Sequence, residues 1–141
     1  MKKIFLTAAL VLSCSLFVSA AVVLDDSQVI DPFTLDSELA NKVLVDVRIE
    51  SDYWDHGKIE GSVEVALHDL LVSDKLPAKN ADIVVISQDG NAGEIAVLAL
   101  NKLGYTKVQN LDGGIGLWKM MGMPTIEVPR PASAAPVAGG C

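Results

Sequence analysis

Cysteine is nearly absent from this 141-residue chain: its two copies are Cys14, near the start, and Cys141, the last residue. The middle of the chain therefore has no pair for a disulfide framework and no cysteine cluster for a zinc site. Histidine is as scarce. His56 and His68 are the only two, and neither stands with a second ligand at a metal-like spacing or in the setting of a catalytic triad. No metal and no other cofactor is expected. Basic residues are few, 11 Lys and Arg against 18 Asp and Glu, for a net charge of −7. Such an acidic surface repels phosphate backbones, which excludes nucleic acid as an expected partner.

The chain has one long apolar run, at its beginning. Lys2 and Lys3 precede Ile4 to Val18, and Val18-Ser19-Ala20 forms a small-x-small site before Ala21, the pattern of a secretory signal cut after Ala20. With residues 1–20 go two lysines and no acid, so the mature charge becomes −9. Two other fates of the segment place it in a membrane. Uncut, the apolar stretch extends to Leu24 and is long enough to span a bilayer; processed at Val11-Leu12-Ser13-Cys14, it would leave a lipid on Cys14. All three put the folded domain outside the cytoplasm, in the periplasm or beyond. There, Cys141 would be free, capped or joined to another molecule.

Residues 21–27 read as a linker, 28–126 as one domain, and 127–141, rich in Pro, Ala and Gly, as a flexible tail ending in Cys141. Gln28 to Ile30 suits a short strand. Asp31-Pro32 opens a helix with Phe33, Leu35 and Leu39 on its apolar side, closing at Asn41-Lys42. Val43 to Val47 and Ile83 to Ile86 have the unbroken apolar character of strands buried on both faces. A helical turn is expected at Ser51 to Trp54, a strand at Ser62 to Ala66, a brief helix at His68 to Leu71 and a loop at Pro77 to Asn80. From Ala92 to Leu103 the residues Ile95, Ala96, Ala99, Leu100 and Leu103 share a helical face, and Gly104 stops the helix. Thr106 to Asn110 is a last strand, and Gly113-Gly114 opens a helix from Ile115 to Met121, packed by Trp118, Met120, Met121 and Met123. Alternation at this spacing implies parallel β-α units, with a site at the loops beyond the carboxyl ends of the strands.

The ordered motifs Val45-Asp46-Val47-Arg48, Tyr53 with Gly57-Lys58-Ile59-Glu60-Gly61-Ser62, Val84-Val85-Ile86 before a loop, and Leu111-Asp112-Gly113-Gly114 with Trp118 resemble the single-domain rhodaneses. The resemblance spans about Val29 to Pro124 and implies a three-layer α/β fold, a central, mainly parallel five-stranded sheet flanked by helices. It also implies a cysteine at the end of the fourth strand, wrapped by backbone N–H groups, that accepts sulfur from thiosulfate as a persulfide and passes it on. Here that position is Ser87, followed by Gln88, Asp89, Gly90, Asn91, Ala92 and Gly93. A hydroxyl cannot form a persulfide. The loop has no arginine, and Asp89 adds negative charge where a donor anion would sit. Asp46 and Arg48 match the family's Asp-x-Arg and are expected to brace the loop as a charge pair.

Three functions follow for comparison. The first is an exported binding or regulatory module without sulfurtransferase activity, taking a protein partner or a small anionic ligand at the old active-site loop. The second is a sulfurtransferase in which Cys141, on a tail whose flexible reach is roughly 20 to 25 Å, supplies the missing sulfur. The third is a structural protein that Cys141 links by a disulfide to a second copy or another exported protein. Serine hydrolysis at Ser87 is not expected, because no histidine stands in a context to activate it.

Overall fold

The computed structural model describes residues 23–134, so residues 1–20, Cys14, Cys141 and the end of the tail lie outside the described residues. Five strands, β1 (Val29–Ile30), β2 (Val43–Asp46), β3 (Val63–Glu64), β4 (Ile83–Ile86) and β5 (Val108–Leu111), are each followed by a helix, α1 (Pro32–Glu38), α2 (Glu50–His56), α3 (Asn91–Lys102) and α4 (Gly114–Met120), except β3, which leads through a 3₁₀ turn to β4. The strands form one all-parallel sheet in the order β1-β5-β4-β2-β3. All five carboxyl ends therefore share one edge.

Alternating side chains of the central strands feed two cores. Val45, Ile83, Val85 and Val108 meet Ala96, Val97 and Leu100 of α3 on one face. Leu44, Val84, Ile86 and Leu111 meet Leu35 of α1 and Ile115 and Trp118 of α4 on the other. Every residue of β4 is fully buried, which explains its unbroken apolar sequence.

Several elements differ from expectation. Phe33 is 61% exposed: two positions before buried Leu35, it lies about 200° around the helix from it. On α3 the inner stripe is Gly93, Ala96, Val97 and Leu100, while Ile95 is exposed. The sequence from Ile95 to Leu100 is apolar all round, and the helix turns so that Gly93, which has no side chain, faces the sheet. Met120 and Met121 are exposed and only Met123 packs against the core. The single turn expected at Ser51 to Trp54 is the seven-residue α2, the helix at His68 to Leu71 is a 3₁₀ turn over Leu67–Asp69, and β3 keeps only two residues of its expected span. Beyond α4, Ile126 pairs with Lys58 in an isolated antiparallel bridge. Arg130 then reaches Asp55 at 2.7 Å and lies over the Trp54 ring, so the tail's first residues run against α2.

Candidate functional site

The chain leaves the sheet at Ser87, which is completely buried directly beyond β4. Its Oγ accepts the Gly90 N–H at 3.0 Å. Gly90 has φ +95°, a left-handed conformation that an L side chain resists, and it closes a loop of four residues, Ser87 to Gly90. Asn91, expected in the loop, opens α3 instead, and Ala92 and Gly93, which the resemblance laid on the family's loop, follow it in the helix's first turn, one residue earlier than the helix expected from Ala92. Asp89 explains the early start: its carboxylate accepts the Asn91 backbone N–H at 3.1 Å and the Asn91 Nδ2 at 2.9 Å, a local turn that launches the helix.

The turn from β5 into α4 forms the other wall. Ser87 O accepts the Ile115 N–H at 2.8 Å, and Gln88 O accepts the Gly116 N–H at 3.1 Å. A Cβ on Gly114 would overlap Ser87 O and stand 2.8 Å from the Asp89 nitrogen, at a φ of +58°. On the α3 side, a Cβ on Gly93 would overlap Asn110 Oδ1 and stand 3.3 Å from Ser87 Oγ. Asn110, 3% exposed, donates its Nδ2 to Gly90 O at 3.1 Å. Asn110 Oδ1 and Gln88 Oε1 have no donor among the described residues. Asn110 was not singled out from the sequence; the available signal was an amide inside a buried strand, where a polar side chain needs a partner.

Beside Ser87 stands a buried charge pair. Asp46 is in register with Ile86, and Arg48 grips its carboxylate with Nε at 2.9 Å and Nη2 at 2.7 Å. Nη2 also donates to Gly57 O at 2.9 Å, tying the end of α2 to β2. Tyr53 lies under the guanidinium, 4.9 Å from Arg48 Cζ to the ring centroid, and its hydroxyl donates to Arg48 O at 3.1 Å. Burial, then the Asp46 charge, pushes the Tyr53 phenol far above its ordinary range. Both charges of the pair are below 5% exposed, so this is a rigid bidentate brace adjoining the loop.

Among the described residues neither histidine is hydrogen-bonded to Ser87. His56, half-buried at the end of α2 rather than on an exposed turn, has Nδ1 3.2 Å from Asp52 O. His68 is exposed beside Asp69 at 3.4 Å. Of the loop's backbone donors, the Gly90 and Asn91 N–H groups are already taken up by Ser87 Oγ and Asp89. Three described cavities, of about 350, 270 and 500 Å³, have none of residues 87–90 in their walls. No group of three metal-binding side chains occurs among the described residues.

An all-parallel five-stranded sheet with a buried turn at the end of β4 and an Asp-x-Arg brace at the end of β2 defines a class, and comparison with known proteins agrees. The Rhodanese-like domain family matches residues 32–121, and the chain belongs to that family. A protein of Allochromatium vinosum described as a sulfurtransferase is 29% identical over 100 residues, which cover 69% of this chain and 92% of that one. Among solved structures, a rhodanese-related protein from Thermoplasma volcanium is similar with a TM-score of 0.65 at 25% identity, covering 70% of this chain and 97% of its own. The rhodanese-like domain of an Anabaena protein gives 0.65 at 28% identity, covering 81% and 87%.

Proposed function

We propose that this chain is an exported, non-catalytic rhodanese-like protein, a binding or regulatory module whose ligand meets the loop at Ser87. The observation that carries this is Ser87 itself, seated where the family's sulfur-bearing residue is expected, buried, and bonded through Oγ to its own loop. A persulfide needs a thiolate, and the described residues contain no cysteine. Asp89 is a second support, since its charge opposes an anionic donor. Export rests on Lys2, Lys3, the apolar run and Val18-Ser19-Ala20, and we place the mature protein in the periplasm or another extracytoplasmic space. Its partner is a protein segment or a small anion.

Intact-mass spectrometry after incubation with thiosulfate tests the proposal. The parent chain should gain no sulfur, while Ser87→Cys should gain one removable sulfur atom at residue 87. Sulfur appearing on the parent at Cys141 would overturn it in favour of the tail-cysteine carrier.

A further inference from the structure

Beyond α4 the chain turns back, and residues 124–130 cross to the end of α2 as a strap. At its start Pro124 O accepts the Trp118 indole N–H at 2.8 Å. In its middle Ile126 and Lys58 exchange two backbone hydrogen bonds, at 2.8 and 3.0 Å. At its far end Arg130 reaches Asp55 at 2.7 Å and lies over the Trp54 ring, 5.4 Å from the centroid. Lys119 of α4 adds a bond to His56 O at 3.0 Å. The strap therefore joins α4, whose first turn holds Ser87 O and Gln88 O, to the end of α2. Apolar burial does not account for its course, because Ile126 remains 39% exposed and the fastenings are directional bonds.

Gly57 is the point at which the strap meets the brace. Its φ is +66°, and a Cβ there would stand 2.6 Å from Ile126 O, so the close approach requires glycine. The Gly57 carbonyl accepts Arg48 Nη2 at 2.9 Å, and the same Nη2 grips Asp46 beside the Ser87 loop. Arg48 Nη1 is buried without an acceptor among the described residues, so the guanidinium depends on the acceptors it has. Withdrawal of Gly57 would take one of them away, and a buried charged donor that loses its acceptor is costly. The brace must then move with the end of α2.

The two ends of this series of contacts differ in strength. The Arg48 and Asp46 side chains are buried, whereas those of Arg130 and Asp55 are 37% and 61% exposed, and an exposed pair holds weakly. A weak fastening in solvent thus lies in contact with a strong one in the interior. We infer that residues 124–130 are a clasp: fastened, they hold Gly57 on Arg48 and keep the Ser87 loop closed, and release of Arg130 from Asp55 frees the brace. This control is conformational and independent of sulfur chemistry, so it goes beyond the function proposed above.

Amide hydrogen exchange, followed residue by residue by NMR on the full chain, tests the clasp. The reporters are the N–H groups of Lys58, bonded to Ile126 O, of Arg48, bonded to Asp46 Oδ1 at 3.2 Å, and of Gly90, bonded to Ser87 Oγ. Val85, fully buried in β4, is the reference for global unfolding. In the parent, Arg48 and Gly90 should exchange faster than Val85, because the clasp opens without unfolding the sheet. Arg130→Ala and Asp55→Ala should each speed exchange at Lys58, Arg48 and Gly90 by about three- to fivefold. Added salt, which screens the exposed pair, should speed the same amides in the parent and leave Arg130→Ala unchanged. Acceleration confined to Lys58, or none at any reporter, would overturn the proposal. So would exchange of Arg48 and Gly90 no faster than that of Val85 in the parent, or an equal response to salt in the parent and Arg130→Ala.

Discussion

Ser87 Oγ is held by one backbone N–H, with Gly93 and Asn110 packed around it. The closeness of these contacts makes the loop sensitive to single atoms. A methyl group at Gly114 meets backbone that cannot step aside, at a positive φ, so Gly114→Ala should cost about 2 to 4 kcal/mol in a denaturant titration. Gly93→Ala meets the Asn110 side chain, which can give way in part, and should cost less, about 1 to 2 kcal/mol; equal costs would mean that the two walls are equally stiff. For the brace, Arg48→Met strands the Asp46 carboxylate in the interior and should destabilise by about 3 to 5 kcal/mol. Joint replacement of Asp46 and Arg48 by apolar residues should recover much of that loss. A double variant no better than the single one would contradict this account of the brace.

Helix starts at the carboxyl edge depend on their acids. Asp31 accepts N–H groups from Phe33 and Thr34 and the Thr34 hydroxyl. The Thr34 side chain first, then the backbone N–H groups, hold its carboxyl below the ordinary value of 3.8. A carboxyl depressed in the folded state adds stability that is present above its unfolded value and lost as pH falls through the folded one. Asp31→Ala should therefore lower Tm by a few degrees at about pH 6, with the gap narrowing below about pH 4; a constant gap across that range would exclude a role for the charge. The order of strands and helices was legible because Val43 to Val47 and Ile83 to Ile86 have unbroken apolar runs bounded by polar turns. The facing of α3 was legible in four of its five residues: Ala96 and Leu100 are buried, and Ala99 and Leu103 pack against the same core. Ile95 is exposed instead, because with apolar residues at every position from Ile95 to Leu100 periodicity leaves the limit of the buried stripe undecided. The loop's position at Ser87 was legible from the end of β4, and the start of the helix after it to within one residue, because Asp89 draws Asn91 into the helix through local hydrogen bonds.

Across the whole molecule, acids follow the strand ends at one edge, while the other edge is mixed: Lys42 and Lys107 precede β2 and β5, Asp26 and Asp82 precede β1 and β4, and Lys102 ends α3. Lys42 there reaches Glu38 at 3.2 Å and Asp82 at 3.1 Å. This arrangement suits the dipoles of helices that run antiparallel to the strands, and it leaves the edge bearing Ser87 negative. On the proposed reading, a rhodanese-like fold with that polarity and Ser87 at the end of β4 keeps the architecture of sulfur transfer without its reagent. The most direct measurement is the steady-state transfer of sulfur from thiosulfate to cyanide by the parent chain, Ser87→Cys and Cys141→Ser. The account predicts no turnover by the parent or by Cys141→Ser, and measurable turnover by Ser87→Cys. Turnover by the parent that disappears in Cys141→Ser would contradict it and make the tail thiol the carrier.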